Sequence, residues 1–489
     1  MRFTKRCLAG LTLALPLAMG ATAQEEGPLA AGQDKFLGGV FSPSQIEDFE
    51  QYFNQVVAEN AGKWGVVTNS ETRPAQYQDE WFTAEGANSF AGGLDESVTF
   101  AEENGFPYRF HVMLWGNQQP QWMADLDSAA QLDAITEWFD VVSQRYEDSE
   151  GVSRFDFVEV VNEPVNDAPD AADDNGQGGN YVDALGGAGT TGWDWIIEGF
   201  EMGRTYFPDS ELMINEYNVL SNGDVRSSYI EIIELLKDRE LIDAVGIQAH
   251  AFSTTGSAEE ISAALDEVAA LELPIYITEM DIDGPTDQQQ LNDYRRVFPI
   301  FWEHPMVKGV TLWGFRPGHW RDEQGAFLID EDGNERPAMT WLKCYMDSQV
   351  SGVPDVLEGQ TIEVDVEPRP GQSLGQALDC FGANSSQTES WSIVGGSGES
   401  VLTINDSGAI ALVDGQSLTA GEDLTLDLVA ANAEGESEAT TVTISVSDSL
   451  VVPPSAELPK GADHGGSTNS LFLMVLALLG GARVLRRRS

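Results

Sequence analysis

Two glutamates of this 489-residue chain stand where a buried β-strand should give way to a loop. Glu163 lies in the run VVNEP, just before Pro164, and Glu279 lies within the run YITEMDID. The β-branched residues before each glutamate are typical of strands buried on both faces, where a carboxylate is costly unless it is paired or hydrogen-bonded. A solvated strand end explains one such glutamate. Two of them, with Asn162 before one and Asp281 two residues after the other, favour a pair of acids that does chemistry.

The elements that must position this pair are eight β-rich runs that alternate with amphipathic helical stretches. Over residues 36–346 this alternation predicts an α/β fold, a (β/α)8 TIM barrel. Four helical stretches carry apolar residues at spacings of three and four, for example SYIEIIELLKDR. The β-rich runs are, in chain order, FLGGVF (36–41), NQVVAEN (54–60), YRFHVMLW (108–115), FDFVEVVNE (155–163), ELMINEYNV (211–219), DAVGIQAHAF (243–252), LPIYITEMDI (273–282) and KGVTLWGF (308–315).

Polar and aromatic residues follow nearly every one of these strands. Barrel active sites are built at the C-terminal ends of the strands, so these residues are expected to meet at one face. Each has an ordinary structural explanation when taken alone, but the set as a whole predicts a site there. Its members are Glu59, Asn60, Lys63, His111, Trp115, Gln118, Asn162, Glu163, Asn215, Tyr217, Gln248, His250, Glu279, Asp281, Trp313 and Trp320.

The charge balance limits the partners that the chain can have. Its 26 Lys+Arg against 80 Asp+Glu give a formal net charge of −54. A nucleic acid or an anionic membrane reached by charge attraction is therefore excluded. A neutral substrate is compatible with this charge.

The strings around these residues resemble glycoside hydrolase family 10, the retaining endo-1,4-β-xylanases. The resemblance covers about residues 36–345, and the strings occur in the family's order. It implies a TIM barrel that hydrolyses a polysaccharide, xylan, with no metal and no organic cofactor. The matching strings are ENAGKW, RFHVMLWGNQQPQW, VVNEP, INEYN, GIQAH, ITEMDI and TLWGFRPGHW.

The resemblance also implies a role for each matching residue. Glu163 would be the general acid/base, Glu279 the nucleophile, and Asn162 a donor to the 2-hydroxyl of the sugar that is cleaved. His250 and Asp281 would orient and tune Glu279. The substrate-binding residues would be Glu59, Asn60, Lys63, His111, Trp115, Gln118, Tyr217, Gln248, Trp313 and Trp320.

Physical chemistry agrees with these roles. Glycosidic cleavage with retention needs one protonated carboxyl and one ionised carboxylate about 5 to 5.5 Å apart. Glu163 and Glu279 end strands four and seven of the eight, so they can face each other across the barrel mouth. Two carboxylates that close cannot both ionise easily, which raises the pKa of one of them. His250 beside Glu279 would keep that carboxylate charged.

The chain departs from the family pattern in three places. Gly116 stands where the family usually has a second histidine, and the loop after strand eight reads FRPGHW, with Arg316 and His319. Both changes are expected to lie near the substrate. An insertion at residues 168–192 follows Glu163, either shaping the leaving-group side or forming a solvated loop.

A second domain is predicted over residues 357–448, where short alternating strands indicate an all-β sandwich. Its sequence resembles a cadherin-like repeat. Members of that family bind Ca²⁺ between repeats through acidic clusters, whereas this chain has one repeat and reads VAANAEG before the last strand. That departure does not favour calcium binding. A spacer and a carbohydrate-adhesion module stay open as its role, with the spacer favoured.

Both ends of the chain have the pattern of segments that direct a protein to or across a membrane. Residues 1–23 have a basic start, an apolar run and the small-residue site Ala-Thr-Ala, which predicts a secretory signal peptide. A linker at residues 449–470 leads to an apolar segment and a basic tail at 471–489. This tail resembles the GlyGly-type sorting signal of Gram-negative bacteria, which a membrane protease processes. A permanent short anchor is the alternative, and either end predicts a secreted or cell-surface protein.

The cysteines predict no disulfide framework. Cys7 leaves with the signal peptide, and only Cys344 and Cys380 remain. One bridge between them is an option, but two free buried thiols are the favoured interpretation.

The leading hypothesis is therefore a secreted, monomeric, retaining endo-1,4-β-xylanase. A hydrolase of another β-glycan is the alternative within the enzyme class, which Gly116 and Arg316 leave open. From a different class, a surface glycan-binding or adhesion protein with an inactive barrel is the other alternative. The paired carboxylates argue against that last hypothesis, because binding alone does not need them.

Overall fold

The computed structural model describes residues 27–68, 72–84, 90–170, 180–368, 372–382 and 387–451. The predicted signal peptide at 1–23, most of the linker and the apolar tail at 471–489 lie outside the described residues. Among the helices that are described, none combines the length and the hydropathy needed to cross a membrane.

Eight parallel strands close into a barrel, which confirms the predicted fold class. Each strand pairs with its neighbour in chain order, and β1 closes the ring by pairing with β8, for example Leu37 with Val310. The strands are β1 (Phe36–Phe41), β2 (Val56–Ala58), β3 (Tyr108–Phe110), β4 (Phe157–Asn162), β5 (Glu211–Glu216), β6 (Ala244–Ile247), β7 (Ile275–Met280) and β8 (Val307–Leu312).

Every barrel strand except β1 ends before the end of the β-rich run that predicted it. The run at 108–115 contributes only Tyr108–Phe110 to β3, and the run at 243–252 contributes only Ala244–Ile247 to β6. The polar residues at the end of each run leave the sheet because their side chains and backbone turn into the barrel mouth. Positive φ angles mark this turn at Glu163 (55°) and Ala249 (60°).

Helices surround the barrel and begin at capping residues that the sequence supplies. Ser257 and Glu260 form a reciprocal capping box at the start of α7, and Asn222 caps α6. The helices are α1 (Phe49–Tyr52), α2 (Trp64–Val67), α3 (Leu94–Asn104), α4 (Ser128–Arg145), α5 (Asp194–Tyr206), α6 (Gly223–Lys237), α7 (Ala258–Ala269), α8 (Asp287–Trp302) and α9 (Pro337–Ser351).

Two further sheets follow the barrel and pack face to face as a β-sandwich. One has the order β10-β13-β12 and the other β11-β14-β15-β9, in which only β15 and β9 pair in parallel. Alternate residues of β14, such as Leu426 and Leu428, share a core with Ile410 of the opposite sheet. The strands are β9 (Thr361–Val366), β10 (Ser373–Gln376), β11 (Ser390–Gly395), β12 (Leu402–Ile404), β13 (Ala409–Leu412), β14 (Leu424–Ala431) and β15 (Thr440–Val451).

Cys344 and Cys380 form a disulfide, so the favoured expectation of two free thiols was wrong. Their Cα atoms are 5.3 Å apart, which joins α9 to the segment before β11. The same segment carries Asp379, whose carboxylate lies 3.3 Å from the guanidinium of Arg295 on α8. The packing of this segment on the barrel brings the cysteines together, and no pattern within the sequence reports that packing.

Removing this disulfide is expected to destabilise the protein. The bridge closes a loop of 36 residues, which in the loop-entropy account stabilises the folded state by about 4 kcal/mol. The double variant Cys344→Ala/Cys380→Ala should lose about that free energy in a denaturant titration. As a check, thiols should be counted in denaturant without reductant, in protein that lacks residues 1–23. Two reactive thiols in that count would contradict the disulfide.

Candidate active site

A cleft of about 560 Å³ opens at the C-terminal ends of the barrel strands. Fourteen of the sixteen residues predicted to form the site line it. The exceptions are Asn215, which is 0% exposed, and Asp281, which is 1% exposed and lies behind His250. Three further residues, Asn117, Asp167 and Phe252, also line the cleft. The predicted residues in its wall are Glu59, Asn60, Lys63, His111, Trp115, Gln118, Asn162, Glu163, Tyr217, Gln248, His250, Glu279, Trp313 and Trp320.

Glu163 follows the last residue of β4 and is held by hydrogen bonds of its backbone and of its carboxyl group. Its backbone N–H donates to the carbonyl oxygen of Asn215 over 2.8 Å. Trp115 Nε1 donates to Glu163 Oε2 over 2.6 Å, and Gln248 Nε2 donates to Glu163 Oε1 over 2.7 Å. Two residues that were predicted to bind substrate therefore also fix this carboxyl group.

Glu279, on β7, is held by a different set of partners. Asn215 Nδ2 donates to its Oε1 over 2.7 Å, and His250 Nε2 lies 3.4 Å from its Oε2. The other ring nitrogen of His250 is 2.7 Å from Asp281 Oδ2, which also accepts from Trp320 Nε1 over 3.1 Å. Asp281 thus orients His250, and His250 contacts Glu279.

Asn162 connects the two glutamates. Its Oδ1 accepts from Gln248 Nε2 over 3.2 Å and from Asn215 Nδ2 over 3.1 Å. Gln248 reaches Glu163 and Asn215 reaches Glu279, so one chain of hydrogen bonds links both carboxyl groups. This arrangement leaves the amide N–H groups of Asn162 available to a ligand in the cleft.

A buried charge network beneath Glu279 was missed in the sequence. Glu159 is 0% exposed, and its two oxygens lie 2.7 Å from Arg109 Nη1 and 3.0 Å from His111 Nδ1. Arg109 also donates to the carbonyl oxygen of Thr278. The available signal was a charged residue inside each of two apolar strand runs. Asn215 was noted only as a polar strand end, although it touches both catalytic candidates.

This network also bears on whether a metal could bind. One ligand atom each from His111, Glu159 and Glu279 lies within 4.8 Å of the others. Both oxygens of Glu159, however, already contact Arg109 and His111. A cation would have to displace a guanidinium group, so these residues fit a compensated ion-pair network better than a metal site.

The surroundings push the pKa values of the two glutamates apart. Burial raises the pKa of Glu163 well above its usual value, and the nearby negative charges of Glu216, Glu279 and Asp167 add to this effect. Burial acts in the same direction on Glu279. There the hydrogen bond from His250 and the charges of His111, His250 and Arg109 prevail, and lower its pKa to about 2. One carboxyl group therefore holds a proton while the other is ionised.

His250 is kept positively charged beside Glu279. Burial opposes its charged form, but the charge and hydrogen bond of Asp281, followed by those of Glu279, raise its pKa to about 10. The imidazolium ring is thus a fixed cation at neutral pH, and it stabilises the ionised form of Glu279.

The family of the chain follows from its match to a known family model. The model described as Glycosyl hydrolase family 10 matches residues 23–344. The chain belongs to this family. Among curated relatives, endo-1,4-beta-xylanase B of Cellvibrio japonicus is 33% identical over 312 residues, a match that spans 63% of this chain and 45% of that enzyme. Endo-1,4-beta-xylanase 1 of Humicola insolens is 28% identical over 363 residues, 69% of this chain and 77% of that enzyme.

Solved structures of similar fold agree with the barrel. A xylanase from Paenibacillus barcinonensis, complexed with a conduramine derivative, aligns at a TM-score of 0.53 and 23% identity, covering 66% of this chain and 99% of that one. Xylanase 10B from Thermotoga maritima aligns at a TM-score of 0.52 and 22% identity, covering 65% and 97%. At these identities the alignments show the shared fold.

The glycine that departs from the family 10 pattern has a steric reason. A Cβ atom on Gly116 would lie 2.1 Å from the carbonyl oxygen of Asp167, the residue that also accepts the Gly116 N–H over 2.9 Å. The loop after β4 therefore occupies the space of a side chain here. It also places Asp167 in the cleft, where its Oδ2 accepts from Tyr217 Oη over 3.0 Å.

The loop after β8, the second departure, reaches the cleft through Trp320. Arg316 of this loop does not line the cleft, and its guanidinium binds Asp48 over 3.1 Å. His319 is buried against Gly314. The expectation that Gly116 and this loop lie near the substrate stays a prediction. Of the insertion, residues 171–179 are outside the described part, whereas Tyr181 is buried and donates to the carbonyl oxygen of Trp115 over 2.9 Å.

Replacing His250 should raise the pKa of Glu279. With His250→Asn the cation is lost, so Glu279 becomes protonated at a higher pH. The acid limb of kcat/KM on an aryl glycoside should then move from about pH 2 toward the ordinary glutamate value of about 4.3. With Glu279 as the expected nucleophile, activity should be lost as pH falls, because only an ionised carboxylate can attack.

The matched control is His304→Asn, since His304 pairs with exposed Asp266 outside the cleft. This control should leave the acid limb in place. Rates should be compared only at pH values where circular dichroism shows a folded protein. An unmoved acid limb in His250→Asn would contradict the role assigned to the imidazolium.

Proposed function

We propose that this protein is a retaining endo-1,4-β-xylanase that cleaves internal bonds of xylan by double displacement. One observation carries the proposal. Two buried carboxyl groups in one cleft, joined through Gln248, Asn162 and Asn215, have pKa values shifted in opposite directions. A protonated acid facing an ionised nucleophile is what this reaction needs.

In the first step, Glu163 donates its proton to the glycosidic oxygen while Glu279 attacks the anomeric carbon. The C–O bond to the leaving sugar breaks, and a covalent bond forms between the sugar and Glu279. Asn162, whose Oδ1 is already occupied, donates to the 2-hydroxyl of the sugar that is cleaved.

In the second step, Glu163 acts as the base. It removes a proton from water, and the oxygen of that water attacks the anomeric carbon and releases Glu279. The sugar leaves with its original anomeric configuration, and Glu163 is protonated again. Asp281 and His250 keep Glu279 oriented and ionised throughout.

Xylan is the proposed substrate because the relatives reported above are named xylanases and because the cleft offers stacking surfaces for sugars. Trp320 is 50% exposed at the rim, whereas Trp313 is 5% exposed in the wall, where its ring packs against His111. On the same side, Lys63 Nζ donates to Asn60 Oδ1 over 2.9 Å and lies 5.2 Å from the Trp115 ring centroid. These groups suit a neutral, hydroxyl-rich chain.

The proposal includes export and a modular chain. Residues 1–23 serve as a signal peptide, and residues 449–489 serve as linker and sorting tail, which places the enzyme outside the cytoplasm. The sandwich serves as a cadherin-like spacer that needs no calcium. The enzyme works as a monomer without a cofactor, and the tail is processed by a membrane protease.

Replacing the two glutamates should reduce activity in different ways. Glu279→Gln is expected to abolish turnover of every substrate, because no other group forms the covalent bond. Glu163→Gln should abolish xylan hydrolysis but spare kcat/KM for an aryl xylobioside with a very good leaving group, which needs no proton in the first step. Steady-state kinetics on both substrates checks this. Equal losses for both variants on the aryl substrate would contradict the assignment.

Substrate class and stereochemistry can be tested on the wild-type protein. Reducing sugar should be released from xylan and arabinoxylan and not from laminarin or carboxymethylcellulose. Proton NMR of the first products should show the β-anomer, as retention requires. Release from laminarin or carboxymethylcellulose instead would favour another β-glycan, and no release from any polymer would favour a glycan-binding protein.

A further inference from the structure

Glu216 is a buried carboxylate that the reaction described above does not use. It is the last residue of β5 and is 0% exposed. Its Oε2 accepts from the backbone N–H of Val165 over 2.8 Å. Its Oε1 accepts from Asn166 Nδ2 and from the backbone N–H of Tyr217, each over 2.8 Å.

These contacts fix the backbone on which Glu163 is mounted. Val165 and Asn166 follow Glu163 by two and three residues. Glu163 itself has a φ of 55°, a left-handed conformation that is unfavourable for a non-glycine residue and persists only where the surroundings impose it. The neighbouring residue of β5, Asn215, accepts the Glu163 N–H. Residues 215 and 216 therefore hold both sides of Glu163.

Fixing a backbone does not by itself require a charge. The donors to Glu216 are amide N–H groups, and a neutral amide oxygen would accept from most of them. Burying a carboxylate is costlier than burying an amide. Burial raises the pKa of Glu216 to about 7, opposed by its hydrogen bonds. Glu216 therefore becomes negatively charged near pH 7. In this pH range Glu163 has to keep its proton if it is to act as the acid.

Glu163 is faced by charged groups from several elements. Besides Glu216 on β5, they are Glu279 on β7, Asp167 in the loop after β4 and Lys63 after β2. Tyr217 also faces it, and the pKa of that phenol is raised by burial and by Asp167. Glu216 contributes the foremost of the nearby negative charges that oppose ionisation of Glu163.

We infer that Glu216 is a positioning residue for the acid/base: its carboxylate fixes the backbone of Glu163, and its negative charge keeps Glu163 protonated at and above neutral pH. This inference rests on the proposed function, in which Glu163 is the acid. As pH rises, Glu216 ionises and makes the loss of the proton from Glu163 less favourable. The enzyme thereby keeps its acid catalyst at a higher pH than burial alone would allow.

The test is the variant Glu216→Gln, which has the same size and no charge. The alkaline limb of kcat/KM for a xylo-oligosaccharide should move to lower pH by about one unit, the usual size of a protein-induced shift. On that limb this shift is about a tenfold loss of rate. The kcat/KM for an aryl xylobioside with a very good leaving group should fall far less, since its cleavage does not need the proton.

Two further variants keep the test decisive. Glu211→Gln removes a carboxylate from the opposite end of the same strand and should leave the pH profile unchanged. Asn166→Ala removes one hydrogen-bond donor from Glu216 and so disfavours its ionised form. It should move the alkaline limb in the same direction by a smaller amount, which carries the test if Glu216→Gln does not fold.

The outcomes separate this inference from the proposed function. If the wild-type protein cleaves xylan but the alkaline limb is the same in wild type, Glu216→Gln and Asn166→Ala, the inference is overturned and the proposed function stands. Equal losses on both substrates at every pH would show a purely structural role and would also overturn it. A wild-type protein inert on every glycoside would overturn the proposed function itself.

Discussion

Two carboxyl groups share one buried cleft in this protein, and the cost of ionising both governs how the site is built. The chain meets this constraint by surrounding the two carboxyl groups with different hydrogen-bond donors and charges. Glu279 receives a charged imidazole from His250, an amide from Asn215 and the positive charge of Arg109. Glu163 receives neutral donors and negative neighbours instead. Since both residues are glutamates, the difference between their pKa values comes from their surroundings.

The barrel supplies these surroundings through the ends of its strands. Because most strands stop before their β-rich runs end, as β3 and β6 do, the last polar residues of those runs turn inward and lie on one rim. Asn215 contacts several residues of the site at once. Its side chain contacts Glu279 and Asn162, and its carbonyl oxygen accepts the backbone N–H of Glu163. One residue of β5 thus couples the position of the ionised carboxylate to that of the protonated one.

The sequence alone predicted the eight strands, the barrel and most residues of the cleft, because hydrophobic periodicity, the order of elements and the ends of strands can be recognised from neighbouring residues. What it could not supply depends on contacts between distant segments. The salt bridge of Arg109 with Glu159 joins two strands. In the sequence each residue is only a single charge inside an apolar run, and nothing indicates that the two are paired. The disulfide of Cys344 and the outward path of Arg316 depend on how segments pack after folding. The reason for Gly116 could not be predicted either, because it depends on a distant segment. The backbone of Asp167 fills the space that a side chain at position 116 would need.

The acidity of the whole chain does not decide which carboxyl group of the cleft is ionised. A net charge of −54 would raise the pKa of every carboxylate if its field acted uniformly, but salt screens exposed charges beyond about 8 Å at physiological ionic strength. Glu279 nevertheless has a pKa of about 2. Its ionisation is therefore set by groups within the cleft, where burial excludes the ions that screen the surface. Arg109 and His250 are 3% and 5% exposed, so two of the few cations of this chain lie where salt screens their charge least.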